Sequence, residues 1–439
     1  MPFFSIKSTE PKQIMNKHDV IIVGAGIAGL TAAIQLQKEG LNVKIIEASD
    51  RVGGRMKTDK VEGYLLDRGF QVLLTAYPET QNFLDYEALK LRNFNPGAKI
   101  FYNNKFYNFA DPFRKPVDAF RGFNNPFSNF GDKLKVVALR NRSRRLSIED
   151  IFAQKEKPTI DYLNEWNFSK KMIKGFFKPF LGGIFLEPDL LTSNRMFEFI
   201  FKMFGTGYAA LPEQGMEAIP QQLAQKLAKD TILLNTRAVH ITPENVMIDD
   251  GQTLEADAIL IATDSTNIKK LLPTYTANTT NTGVRCLYFA ADEPPFQEPY
   301  LVLNGSQNGW INNVAIPTNL QSSYAPEGKS LISVSIVRPT TLSESELYAS
   351  VRKELCEWFG AAVVEKWMHL RTYVIPNALP AMSSINLPES KGIEAFEKGI
   401  FVCGDHVHDP SINGAMRSGR ITAEAISWDL ALVVNKVKA

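Results

Sequence analysis

The chain holds three cysteines in 439 residues, Cys286, Cys356 and Cys403, far apart and without metal-ligand spacing. That scarcity excludes a disulfide framework and a cysteine zinc site, and no metal centre is expected. Charge of one sign is missing too: 49 basic residues stand against 47 acidic ones, so no global field points to nucleic acid. No run of about 18 apolar residues is present, and the opening MPFFSIKSTEPKQIMNK lacks an apolar core with a cleavage site. A membrane-spanning or secreted protein is therefore not expected; residues 1–16 are read as a flexible leader, and the protein as cytoplasmic. Tandem repeats and low-complexity tracts are absent. The length itself exceeds the ~250–300 residues at which a single core stops growing, so more than one folded unit is expected.

What is there begins at Asp19. The apolar run Val20 to Val23 meets Gly24-Ala25-Gly26-Ile27-Ala28-Gly29, helical periodicity follows to Lys38, and a second apolar strand, Val43 to Ile46, ends on Glu47 and Ala48. This is a βαβ unit with a GxGxxG turn: the first glycine permits the turn, the second admits a pyrophosphate close to backbone, and the third lets helix and strand pack. Glu47 is placed to accept ribose hydroxyls. Directly after it, Arg51-Val52-Gly53-Gly54-Arg55 offers two more glycines for close approach and two arginines for phosphate.

Three strands are expected at Ile232 to Ile241, Asn245 to Ile248 and Ala256 to Ile261, with Asp249-Asp250-Gly251 as a turn. Residues 284–338 alternate apolar and polar positions, and helix signals run from 343 to 369. The end repeats the construction of the beginning: a strand over 399–403, Gly404-Asp405, and a helix from about Asn413 to Ile426. Residues 99–145 differ, with ten phenylalanines and tyrosines among Asn, Pro and Gly, then a basic cluster from Lys133 to Arg145. They read as an inserted domain.

With these motifs the chain resembles the flavin-containing amine oxidoreductase superfamily, which includes amine oxidases, protoporphyrinogen oxidases and carotenoid desaturases. The resemblance implies an α/β fold, a Rossmann-like FAD-binding domain of the glutathione-reductase type with an inserted α+β substrate domain. Residues 17–96, 212–264 and 396–432 are assigned to the former, and 97–211 and 265–395 to the latter. It implies noncovalent FAD, since the family's cysteine context is not reproduced around Cys403. It also implies flavin contacts from Asp405, Gly414, Ala415 and Met416, the acid meeting ribityl hydroxyls and the helix start meeting the N1 side of the ring. Gly69, Phe70 and Gln71 fall where relatives pass the isoalloxazine, although Phe70 to Leu74 reads equally as a buried strand. Val239 matches the position whose backbone meets adenine.

For catalysis the candidates are Gln71, Tyr373, His406 and His408. The histidines titrate near neutrality, but histidines beside a cofactor loop are more often hydrogen-bonded fillers. An aromatic pair that would hold an amine is not evident, and Tyr373-x-x-Pro376-x-Ala378-x-Pro380 resembles the desaturase and porphyrinogen-oxidase branch. The expected activity is hydride transfer from an apolar polyene, isoprenoid or porphyrinogen-like molecule to flavin N5, with quinone or oxygen as acceptor. An amine oxidase and a non-oxidising flavin protein or isomerase are the alternatives. The aromatic and basic insert leaves a peripheral membrane contact open; the pattern assigns no oligomeric state.

Overall fold

The computed structural model describes residues 17–276, 280–381, 383–385, 393 and 395–438, so the leader assigned to 1–16 lies outside the described residues. A seven-stranded sheet is built on His18–Val23, whose apolar run is paired in parallel on both sides, with Val43–Ile46 and with Thr253–Ile261. Ile232–Leu233 extends it beyond Val43–Ile46, and Ile400–Val402 lies along the far side of Thr253–Ile261. Strands covered on both faces read as unbroken apolar runs, which is how 20–23 and 258–261 appear in the sequence. The first helix, Ile27–Lys38, packs on the C-terminal helix, Ile412–Lys438, so closely that a Cβ at Gly419 would collide with the carbonyl of Ala28.

A second seven-stranded sheet runs in the order Met368–Pro380, Asn281–Ala291, Ser330–Ile336, Asn313–Ala315, Leu301–Asn304, Gly97–Tyr102 and Lys105–Ala110. Only the Leu301–Asn304 and Gly97–Tyr102 pair is parallel. One face is covered by Glu344–Phe359, a helix opened by a Ser343–Glu346 capping box and packed through Leu347, Val351, Leu355 and Trp358. The fold is the α/β class expected, a Rossmann-like sheet with a second, mixed αβ unit.

Several elements differ from their sequence reading. The strand expected over 232–241 is two strands, because Asn235 takes φ 52° and the chain turns there, its N–H donating to the Ser49 carbonyl at 3.0 Å. Ala238–Thr242 then pairs antiparallel with Asn245–Ile248. The helical signal over 343–369 is broken at Gly360, which has φ 89°: one helix ends at Phe359, a short one follows at Ala361–Val364, and residues from Met368 onward are strand. Of the apolar stretch 70–74 only Leu73–Leu74 is strand. The last helix runs past Ile426 to Lys438. Among the described residues no helix is long and apolar enough to cross a membrane.

Candidate cofactor and substrate site

The three glycines of the first turn have different reasons to be glycine. Gly24 has φ 110°, its N–H donates to the Ile46 carbonyl at 2.8 Å, and a Cβ would lie 2.9 Å from the Ala262 oxygen. A Cβ at Gly29 would collide with the Gly24 carbonyl. These two serve the protein's own backbone. Gly26 does not: its φ of −75° suits any residue, and a Cβ there would meet nothing within 4 Å. The space in front of it is a cavity, and it starts a twelve-residue helix with no side-chain cap and no acid in the first turn. Unpaired N–H groups and the positive end of the helix face that space, as a pyrophosphate requires.

Glu47 is held beside this turn by the N–H groups of Ala25 (2.8 Å) and Ser49 (2.9 Å) and by the Ser49 hydroxyl (2.7 Å). The second glycine pair lies against the first: the Gly53 N–H donates to the Ala25 carbonyl at 2.9 Å. Arg55 then ties three distant segments together, donating to Asp405 Oδ1 at 2.6 Å and to the Ala378 carbonyl at 3.1 Å. Gly24, Gly26, Ile27, Ala28, Glu47, Ala48, Gly53, Gly54, Arg55, Gly69, Phe70, Gln71, Val239, Gly404, Asp405 and Ala415 all line one cavity of about 1150 Å³.

Other expected residues are placed elsewhere. Gly29 is packed beneath the first turn, and Gly414 sits under Asp409, whose carbonyl a Cβ would strike. Met416 is fully buried and does not reach the cavity. Arg51, expected on phosphate, turns away into ion pairs with Asp59 (2.6 Å) and Glu217 (3.3 Å). The same Asp59 accepts from Arg68 and from the Tyr373 hydroxyl at 2.7 Å. Although burial works against its charge, these donors hold the Asp59 carboxyl well below its ordinary range. Tyr373 is thus committed to a network behind the site.

Nor do the histidines line the cavity. His406 is buried edge-on to Tyr275, with ring centroids 6.4 Å apart, and burial lowers its pKa. His408 Nδ1 is 2.7 Å from Asp409 Oδ2. Of the four catalytic candidates Gln71 alone faces the cavity, its amide donating to the carbonyls of Arg55 and Arg68, both at 3.2 Å. Among the described residues the lining holds neither cysteine nor histidine.

The loop carrying Gly69 to Gln71 is fixed from behind by buried Asp67. Its Oδ1 accepts from the Thr58 hydroxyl (2.6 Å) and the Met216 N–H (2.9 Å), its Oδ2 from the Tyr324 hydroxyl (2.9 Å), and its carbonyl from the Tyr288 hydroxyl (2.7 Å). Burial outweighs these bonds and pushes the carboxyl up to about 6. A raised folded-state pKa gives stability that is complete below the unfolded value near 4 and lost as pH rises through about 6. Asp67→Asn removes that loss, so between pH 5 and pH 8 the wild type should lose roughly 1–2 kcal/mol relative to the variant in denaturant unfolding. Parallel pH profiles would show that Asp67 does not titrate in this window.

The same cavity is lined by an aromatic compartment of Phe109, Phe176, Phe180 and Phe204, of which only Phe109 falls in the aromatic stretch read from the sequence. Phe109 and Phe176 approach to 4.5 Å between centroids, Phe176 and Phe180 stack at 5.3 Å, and Phe180 meets Phe204 at 5.2 Å. Phe176 belongs to a five-residue π-helix, Ile173–Phe177, a distortion that recurs at functional sites and has no sequence signature. Typical ligand pockets span ~300–1,000 Å³, and this cavity, at about 1150 Å³, is larger.

Fold and cavity define a dinucleotide-binding protein whose cofactor cleft continues into an apolar second compartment. The family model described as flavin containing amine oxidoreductase matches residues 27–427, and the chain belongs to that family. Its cofactor is FAD, and the glycine turn, Glu47, Arg55 and Asp405 fit it. The chain is 24% identical to protoporphyrinogen oxidase 2 of Arabidopsis thaliana over 51% of its own length and 50% of the plant enzyme's. It is 23% identical to 4,4'-diapolycopen-4-al dehydrogenase of Metabacillus indicus, covering 71% of this chain and 73% of that one. Against L-amino-acid oxidase of Bungarus fasciatus it is 25% identical, covering 61% and 55%. It thus spans about half the length of the plant and snake relatives. An oxidoreductase structure from Methanosarcina mazei superposes with a TM-score of 0.71 at 16% identity, covering 92% of this chain and all of that one. Cyclohexylamine oxidase from Brevibacterium oxydans gives 0.68 at 16%, covering 95% and 100%.

Proposed function

We propose that this protein is an FAD-dependent oxidoreductase acting on an apolar substrate of the polyene, isoprenoid or porphyrinogen kind. The observation that carries the reading is the chain of phenylalanines continuing from the cofactor cleft. FAD, when bound, supplies the hydride acceptor at N5. The protein's own part is positional. Gly69, Phe70 and Gln71 line the same cavity as Phe176, Phe180 and Phe204, and the phenylalanines exclude water and orient an apolar body. Gln71, an uncharged amide that lines the cavity, takes the role of a positioning residue. Two relatives, by name a protoporphyrinogen oxidase and a diapolycopenal dehydrogenase, support the substrate class. An ammonium substrate fits less well, because the charged groups of the compartment's wall are Arg114, Arg140 and Lys133 against Asp111 alone.

Oxygen or a quinone serves as electron acceptor on this reading. Anaerobic mixing of the oxidised protein, in mild detergent, with polyenes, porphyrinogens and amines tests it: bleaching of the flavin by one of the first two classes is expected. Bleaching by amines alone would replace the reading with amine oxidation.

The rim of the compartment supports a peripheral contact with an anionic bilayer. Phe113, Val117, Phe120 (82% exposed), Phe130 (63%) and Leu134 stand out from one short segment, an unusual concentration of exposed apolar side chains. Exposed Arg121, Arg144 and Arg145 lie on the same segment and suit an anionic surface. Val117→Ser with Phe120→Ser should reduce sedimentation with anionic vesicles at least tenfold and leave the melting temperature unchanged, since each large side chain is worth about 1.5–3 kcal/mol when buried. Vesicle binding that ignores both salt and these substitutions would remove the contact from the account.

A further inference from the structure

Within the aromatic compartment one polar cluster lies apart from the residues assigned to the cofactor. Asp111 Oδ2 sits between two guanidinium groups, Arg114 Nε at 2.9 Å and an Arg140 terminal nitrogen at 3.2 Å. Arg114 is fully engaged, because its other nitrogens donate to the carbonyls of Gly207 and Phe204, both at 2.7 Å, and its plane lies 4.9 Å over Tyr208. Arg140 is not. Its side chain is only 12% exposed and rests 4.8 Å over Phe113, yet among the described residues Asp111 is its single polar contact and its Nε is buried without a partner. One carboxylate faces two cations, so the wall carries an uncompensated positive charge on a side chain that is already held in place. Burial, together with the neighbouring Arg114 and Arg144, pulls the Arg140 pKa down, the sign of a cation short of negative charge.

We propose that Arg140, steadied by Asp111 and Phe113, binds an anionic head group, a carboxylate in the first instance, of a substrate whose apolar body lies along Phe204, Phe180 and Phe176. The inference rests on the reading of the aromatic compartment as the substrate site. It narrows the substrate class to amphipathic molecules with one anionic end. An arginine with free N–H groups in a low-dielectric wall gives strong charge-assisted bonds to a carboxylate, and an uncharged isostere of the same length lacks them.

Calorimetric titration of the FAD-loaded protein with dodecanoate and with 1-dodecanol tests this. The wild type should bind the acid about 10- to 100-fold more tightly than the alcohol, the range of a hydrogen-bonded charge. Arg140→Gln should abolish the preference while leaving alcohol affinity unchanged, and Arg140→Lys should keep most of it. Equal affinities for acid and alcohol in the wild type, or an undiminished preference in Arg140→Gln, would overturn the anion site alone. Absence of binding by either ligand would remove the substrate compartment and the anion site with it. A bilayer head group is the other source of such an anion: Arg140→Gln should bind anionic vesicles as the wild type does, and loss of that binding would assign the charge to the membrane instead.

Discussion

Gly26→Ala is expected to cost the protein its FAD and almost none of its stability. The added methyl points into the cavity, where no protein atom lies within 4 Å, and the backbone there is already in a conformation open to alanine. The unloaded fold should therefore change by no more than ~0.5 kcal/mol, as a substitution without contacts does. A phosphate that needs the backbone itself finds the methyl in its way, and FAD affinity should fall by roughly two orders of magnitude or more, ~3 kcal/mol. Gly29→Ala makes the contrast: the same methyl collides with the Gly24 carbonyl, so the fold itself should lose ~1–3 kcal/mol. Flavin content after dialysis and unfolding of the unloaded proteins separate the two variants. If Gly26→Ala retained FAD at wild-type affinity, the pyrophosphate would not lie where the cavity places it.

Arg420→Ala should be the most damaging single change away from the cavity. Arg420 donates twice to Glu79, at 2.7 and 3.0 Å, and once to Glu424 at 2.8 Å, and Glu79 is 4% exposed. The Glu79 N–H also donates to Asn413 Oδ1, so this pair fixes the start of the C-terminal helix against the short helix Pro78–Phe83. Removing the arginine leaves a buried carboxylate alone, which costs about 3–5 kcal/mol. Removing both partners should cost clearly less than the sum of the two single losses, since neither charge is then stranded. Additive losses in denaturant unfolding would mean that the pair is not the source.

The sequence made the cofactor cleft legible because its parts are local. A glycine turn between an apolar strand and a helix can be read from fifteen residues, and Glu47 follows at the end of the next strand. What could not be read is which of several near and distant partners the fold gives each side chain. Arg51 and Arg55 are four positions apart in one motif, yet Asp59 and Glu217 take the first and Asp405 holds the second at the cavity. His406 and His408 stand beside the cofactor loop, but Gly404 at φ 148° turns the chain so that one ring packs on Tyr275 and the other on Asp409. The aromatic residues of 99–130 were visible as a cluster; Phe176, Phe180 and Phe204 joined them only through the π-helix and the fold. Arg114, Arg140 and Asp111 gave no signal as a group, because basic residues after Lys133 read as one solvated run. Asp118 and Asp132 stand among the same cations, so nothing in the sequence singles out Asp111.

A crystal structure of the FAD-loaded protein tests the central claim most directly. The account predicts adenosine density between Glu47 and Val239, pyrophosphate against Gly26, and the isoalloxazine ring beside Gly69 to Gln71 at the threshold of the phenylalanine compartment. A flavin ring turned out of the cavity, or one separated from Phe176 and Phe180 by a closed protein wall, would contradict it.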